Sequence, residues 1–230
     1  MKTLIITRCD DNIKNITDIS HPLLKKYAEF TKSDFLTLDG SPPSETDDDR
    51  PHFRIMEAYN LLGEYDRILS VDSDVILNRN TPNIFDVVPY DNIGSVYEDV
   101  GSRAQHRRNV MSEAQRKFKE IGWKQGYINT GFFVVSKPHR NIFTPIDGGY
   151  WTGFGSDDVH LGYQINKHGF NVHELSFRWN HMTMFSEPWN HNAHRFNSHV
   201  IHYAGGGTFD QTDRIGQMKS DLMTIYGEET

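Results

Sequence analysis

The stretch RILSVDSDVILN, Arg67 to Asn78, decides how the rest of the chain is read. Ile68, Leu69 and Val71 lead into Asp72 and Asp74, and Val75, Ile76 and Leu77 lead out again. Aliphatic residues at this density suit a buried strand. Carboxylates fit such a strand only at a tip that something polar meets. In a parallel α/β sheet, ligands bind beyond the carboxyl ends of the strands, which is where these acids would stand. Residues i and i+2 of an extended chain face the same side, so the two carboxylates repel unless a cation lies beside them. Hard oxygen ligands suit Mg²⁺ or Mn²⁺, held by few carboxylates together with substrate phosphates. The alternative is a pair of acids opening a surface turn.

Upstream, TLIIT (Thr3–Thr7) predicts a first strand and Ile19–Phe30 a helix with Pro22 near its start. DFLTLDG (Asp34–Gly40) predicts a second strand, Ser41–Pro51 an acidic loop, and His52–Leu62 a helix ending at Gly63. YDRILSVD is then a third strand, and strand–helix–strand–helix–strand argues for an α/β unit with a largely parallel sheet. Downstream, Asn92–Tyr97 and Ile128–Lys137 read as strands. Between them lie a basic loop, Ser102–Asn109, and a helical region reaching about Lys119. Ser156–Gly169 has a serine N-cap, acids in its first turn and a glycine stop, so it predicts a short helix. FNVHELS and SHVIHYAGG read as late strands. No internal repeat or linker divides the chain.

A chain of 230 residues, 37% hydrophobic and 12% aromatic, suits one packed domain. Its net charge of −7 offers no general attraction to nucleic acid or anionic membranes. No segment approaches the ~20 apolar residues that span a bilayer. The single cysteine, Cys9, rules out an internal disulfide and fits a reducing compartment. With no signal peptide in MKTLIITRCDD, the expected setting is soluble and cytoplasmic.

Two further groups could carry chemistry. His202 closes a strand and precedes Gly205, Gly206 and Gly207. An imidazole beside carboxylates suits manganese, and the glycines would let backbone N–H groups approach phosphate oxygens; a packing histidine is the plainer reading. Asp157 and Asp158 open a helix, where they could simply pair with its dipole or act as a general base toward an acceptor hydroxyl.

Four segments carry a resemblance. YDRILSVDSDVIL resembles the DxD segment of nucleotide-sugar-dependent glycosyltransferases with the GT-A fold. GYINTGFFVVSK is similar to the following strand of those enzymes, GFGSDDVHLGYQINKHG to the acidic acceptor-site segment of inverting members, and VIHYAG to the late strand whose histidine completes the metal site. The segments occur in the family's order and cover most of Met1 to Gly207. More narrowly, SVDSDVIL and the small size are similar to the small glycosyltransferase domain of chlorovirus capsid-glycan synthesis, a viral setting that would make the location host cytoplasm.

The resemblance implies a single Rossmann-like GT-A domain with a mostly parallel mixed central sheet flanked by helices. Residues 1–97 would form the nucleotide-binding half and residues 98–230 the acceptor-binding half. Asp72, Asp74 and His202 would hold Mn²⁺ or Mg²⁺, which would bridge the diphosphate of a UDP-sugar. Thr7, Arg8, Cys9, Asp39 and Arg54 would hold the uridine. Ser73 and Gly205–Gly206 would face the donor, and Asn129, Thr130 and Gly131 would line the donor sugar. Asp158 or Asp157 would be the base of an inverting transfer to an oligosaccharide or glycoprotein glycan; retention is the alternative if neither acid meets the acceptor. UDP-glucose, UDP-galactose and UDP-rhamnose are all compatible donors.

Arg103, Arg107 and Arg108 offer a basic lid over the pyrophosphate, or a solvated loop. Trp151, Trp179 and Trp189 offer faces for acceptor sugars, or core packing. Two rival classes are a haloacid-dehalogenase-like phosphohydrolase and a metal-dependent carbohydrate-binding module. The first normally carries its Asp-x-Asp on the first strand with Thr or Val two residues later, where this chain has Ile76.

Overall fold

The computed structural model describes residues 1–40, 51–183, 193–205 and 213–227. Residues 41–50 of the acidic loop, Trp189, Gly206 and Gly207 therefore lie outside the described residues. The strands are β1 (Thr3–Arg8), β2 (Asp34–Leu38), β3 (Arg67–Val71), β4 (Val75–Leu77), β5 (Ile93–Tyr97), β6 (Ile128–Ser136), β7 (Val172–Glu174), β8 (His181–Met182) and β9 (Val200–His202). The helices are α1 (Lys14–Thr31), α2 (Ala58–Leu61), α3 (Ile84–Val87), α4 (Ala104–Lys117), α5 (Ser156–His168) and α6 (Arg214–Tyr226).

The main sheet has the order β2-β1-β3-β6-β5-β7. β1 runs parallel to β2 and β3, and β5 parallel to β7, while β6 is antiparallel to both β3 and β5. Strands β1, β3 and β6 are buried along their whole length, as expected of a sheet covered on both faces. The pleat sorts their side chains between two cores. Ile5, Leu69, Phe132 and Val134 pack with Leu24, Tyr27 and Ala28 of α1. Leu4, Ile6, Ile68, Phe133 and Val135 pack with Leu161 and Ile165 of α5 and with Phe53 and Met56. The mostly parallel mixed sheet with flanking helices agrees with the fold expected from the sequence. No helix among the described residues is long and apolar enough to cross a membrane.

The run read as one strand and its exit is divided between two sheets. β3 ends at Val71, Asp72 to Asp74 turn, and β4 joins a separate sheet of order β4-β9-β8. The acids therefore stand where the chain passes from one sheet to the other: Leu69, Val71, Val75 and Leu77 share one core, while the two flanks pair with different strands.

Other boundaries differ from expectation for local reasons. Helix α1 starts before Pro22, which lies in its middle. Its buried stripe, including Ile16, Ile19, Leu23, Leu24 and Tyr27, gains about 1.5–3 kcal/mol per large apolar side chain, and together these outweigh one interior proline at ~3 kcal/mol. The expected helix over His52–Leu62 is a 3-10 stretch, Pro51–Glu57, followed by the single turn of α2. The expected basic loop is helical: a 3-10 turn, Gly101–Arg103, leads into α4. Ser156 does not cap α5; Gly155 stands at that position with φ 74°, and a Cβ there would lie 1.9 Å from the Tyr127 hydroxyl oxygen. Helix α6 was not foreseen. Asp213 caps it by accepting from the Gly216 N–H at 2.7 Å, and Met218 and Leu222 bury against Ile16, Ile201 and Tyr203.

Candidate active site

The ends of β1, β3 and β5 and the start of β6 in the main sheet meet the end of β9 from the second sheet. Backbone pairing does the positioning. Asp72 N–H donates to the Gly131 carbonyl at 3.0 Å, and Tyr203 N–H to the Asp74 carbonyl at 2.8 Å. The register Val75↔His202 brings the histidine beside the acids. A cleft of about 580 Å³ opens there, lined among others by Arg8, Asp72, Asp74, Asp158, His202 and Arg214.

Asp72, Asp74 and His202 each offer a ligand atom, all within 4.8 Å of one another. His202 Nε2 lies 3.1 Å from Asp74 Oδ1 and 3.5 Å from Asp72 Oδ2. Burial opposes ionisation of Asp74, but His202 and Arg214 outweigh it and lower its pKa to about 2. Burial likewise disfavours charge on His202, and Asp74 and Asp72 outweigh it to raise its pKa. Gly131 makes room: a Cβ there would lie 2.5 Å from His202 Cε1. Two carboxylates and one imidazole converging through Nε2 fit a divalent manganese or magnesium ion.

Arg8 ties this group to the second acid pair. Its Nη1 donates to Asp157 Oδ2 at 2.6 Å and to the His52 carbonyl at 2.9 Å, and its Nη2 pairs with Asp72. Burial opposes the charge on Arg8, yet Asp72 and Asp157 raise its pKa. Thr130 connects the acids to β6. Its N–H donates to Asp158 Oδ1 at 2.8 Å, and its hydroxyl stands 2.8 Å from Asp157 Oδ2 and 2.9 Å from Asp158 Oδ1. Asp158 Oδ2 has no hydrogen-bond partner among the described residues. Burial, then the charges of Asp157 and Glu98, push the Asp158 carboxyl well above the usual carboxylate range.

The structure thus brings Arg8, Asp72, Ser73, Asp74, Asn129, Thr130, Asp157, Asp158, His202 and Gly205 to one cleft. Thr7 is fully buried, and its hydroxyl lies 3.0 Å from that of Ser73. Arg54 donates to the Cys9 carbonyl, and Asp39 is exposed just beyond β2. These four, with Gly131, do not line the cleft among the described residues.

The three arginines offered as a basic lid or a solvated loop are each paired with a carboxylate, and Arg107 lines the cleft. Arg107 Nε donates to Glu98 Oε2 at 2.6 Å, Arg103 pairs with the same oxygen at 3.3 Å, and Arg108 lies 3.4 Å from Asp99. These cations are bound to carboxylates at the end of β5. Trp151 and Trp179, 6% and 5% exposed, are core residues; Trp179 stacks on Phe132 at 5.6 Å.

Sequence reasoning missed Glu98, Asn180, Arg214 and Phe154. Glu98 follows a strand end just as Asp72 does, so the same argument would have found it. Asn180 and Arg214 carry no local signal. Arg214 Nη1 is 3.2 Å from Asp74 Oδ2. Phe154 is 54% exposed at the cleft wall, with the His106 ring 4.8 Å away edge-on and the Arg107 guanidinium 4.8 Å from its centroid.

No protein-family model and no curated protein matches the sequence. Solved structures do match. A glycosyltransferase involved in the glycosylation of the major capsid of PBCV-1 has a TM-score of 0.56 at 15% identity, over 96% of this chain and 100% of that one. The bifunctional glycosyltransferase WbbM has a TM-score of 0.65 at 15% identity, over 98% of this chain and 51% of that one, so this chain spans about half of it. The galactosyltransferase LgtC, in complex with donor and acceptor sugar analogs, has a TM-score of 0.54 at 17% identity, over 97% and 96%. The fold is that of the GT-A glycosyltransferases.

Proposed function

We propose that this chain is a metal-dependent glycosyltransferase that moves a hexose-type sugar from a UDP-sugar to a glycan hydroxyl. The observation that carries the reading is the juxtaposition, in this fold, of Asp72, Asp74 and His202 with the acid pair Asp157–Asp158 in one cleft. Among the described residues, six carboxylates (Asp10, Asp72, Asp74, Glu98, Asp157 and Asp158) line the cleft against three guanidiniums, Arg8, Arg107 and Arg214. A diphosphate entering alone would meet net repulsion. A divalent ion on Asp72, Asp74 and His202 would offset most of that, give the diphosphate a local cation, and supply Lewis-acid stabilisation of the departing UDP.

The other roles belong to side chains. Arg214, partly exposed beside Asp74, supplies positive charge to the diphosphate. Asp158 takes the proton of the acceptor hydroxyl as its oxygen attacks the anomeric carbon and the bond to UDP breaks. Asp157, held by Arg8 and Thr130, is the less available base. Phe154 offers the acceptor a fixed aromatic face, in place of the buried tryptophans. Glycan building on a viral capsid belongs to this reading, supported by the likeness to the PBCV-1 protein over its whole length.

A second stereochemical reading, retention, is favoured by one observation: Arg8 links Asp157 directly to Asp72. That puts the acid pair one guanidinium away from the metal ligands, close to the leaving group. The test is incubation with UDP-glucose, UDP-galactose and UDP-rhamnose in Mn²⁺, with UDP release followed and the product anomer read by NMR. Release of UDP from one donor, and its loss in Asp74→Asn, is expected. An unchanged anomeric configuration selects retention. No UDP release from any of them, or turnover of aryl phosphates without nucleotide, overturns the assignment.

A further inference from the structure

We propose that Glu98 and Asn180 are positioning residues that hold His202 in the one tautomer a metal ligand through Nε2 requires; this rests on the metal-site reading above. Four side chains form a relay. Asn129 Nδ2 donates to Glu98 Oε1 at 2.7 Å, Asn180 Nδ2 donates to Asn129 Oδ1 at 2.6 Å, and His202 Nδ1 lies 2.7 Å from Asn180 Oδ1.

The direction of every bond is forced. Glu98 is paired with Arg107 and Arg103, and as a carboxylate it only accepts. The Asn129 amide must therefore turn its nitrogen to Glu98. Independently, the Gly131 N–H, which can only donate, points at the other Asn129 atom at 2.9 Å, which must then be the oxygen. That oxygen requires the Asn180 nitrogen. Asn180 consequently presents its oxygen to His202, and Nδ1 must carry the proton. In the neutral ring that binds a metal, Nε2 is then left with its lone pair facing Asp72 and Asp74. Second-layer hydrogen bonds of this kind orient metal-binding imidazoles, and their removal costs ~10–100-fold in metal affinity. Asn180 and Asn129 are both buried, so water does not replace a missing bond freely. The Asn129-Thr130-Gly131 segment at the start of β6 thus organises the metal ligands and the acid pair together.

The test measures Mn²⁺ binding by electron paramagnetic resonance and the histidine ring nitrogens by ¹⁵N NMR in Mg²⁺. Wild type should show His202 protonated at Nδ1 alone. Asn180→Leu should weaken Mn²⁺ binding by ~10–100-fold and release the tautomer. Asn180→Asp, which keeps an acceptor facing Nδ1, should restore most of the affinity. Unchanged Mn²⁺ affinity in folded Asn180→Leu overturns the proposal, as does a wild-type His202 protonated at Nε2 and not at Nδ1, which decides the matter even if that variant fails to fold. Absence of Mn²⁺ binding by wild type defeats the metal reading instead, while the ring spectrum still decides whether the relay sets the tautomer.

Discussion

Asp157 and Asp158 are neighbours in one helical turn, yet their surroundings separate them. Asp157 is neutralised by Arg8, 149 positions away in the chain. Asp158 keeps one oxygen uncommitted and is pushed toward its protonated form by burial, Asp157 and Glu98. A base must be ionised to work, so the acid limb of the pH–rate profile is expected above the ordinary carboxylate range; a limb near pH 4 would exclude Asp158 as the base. The same shift affects stability. With its folded pKa raised, Asp158 binds more protons folded than unfolded, so its ionisation destabilises the fold as pH rises through the folded value. Asp158→Asn removes that cost and keeps an acceptor for the Thr130 N–H. It should abolish transfer while raising Tm at neutral pH, readable in one thermal-melt comparison. Gly131→Ala should weaken Mn²⁺ binding measured by calorimetry, because its Cβ would lie 2.5 Å from the buried His202 ring. The DxD acids were legible because apolar flanks on both sides left charges in an improbable place. The choice between Asp157 and Asp158 was not, because it depends on a residue in β1.

At the scale of elements, the site depends on β3 and β4 leaving one another at Asp72. β4 pairs with β9, and that pairing delivers His202. An apolar run gives no hint that its second half serves another sheet, so the sequence yields the strand YDRILSVD and leaves Val75–Leu77, which is β4, without one. The basic segment after β5 was misread for a similar reason. Its charges suggest a solvated loop, whereas Val110, Met111 and Ala114 of α4 bury against Trp123 and Tyr163. The start of β3 carries a different constraint. Arg67 is buried, and burial lowers its pKa. Its Nη1 and Nη2 donate to the Phe85 and Val88 carbonyls at the end of α3, at 2.7 and 2.8 Å. Arg67→Ala would leave both carbonyls unsatisfied and a cavity behind, and should cost at least about 3 kcal/mol in urea denaturation. A loss below 1 kcal/mol would show that α3 does not need this anchor.

Across the whole molecule, buried neutral histidines shape the acid response. His160 and His181 have pKa values lowered by burial to about 4. Unfolded, each takes up a proton near pH 6.5, so the unfolded chain binds more protons between those values. Stability from these two groups is therefore complete above pH 6.5 and lost as pH falls toward 4, by about 3 kcal/mol for each. Equilibrium unfolding across that interval checks it, and His160→Gln should flatten the dependence. The three-layer plan was legible from alternating strands and helices; the two-sheet crossing and α6 were not, since both are settled by distant partners. What the plan achieves is an acidic cleft where the two sheets meet, and on the proposed reading it admits a diphosphate only with a cation. Calorimetric titration of UDP into the protein, in Mn²⁺ and then in EDTA, tests this most directly. Binding in Mn²⁺ that disappears in EDTA, and is lost in Asp74→Asn even with Mn²⁺, is the predicted result; equal UDP affinity with and without the metal would contradict it.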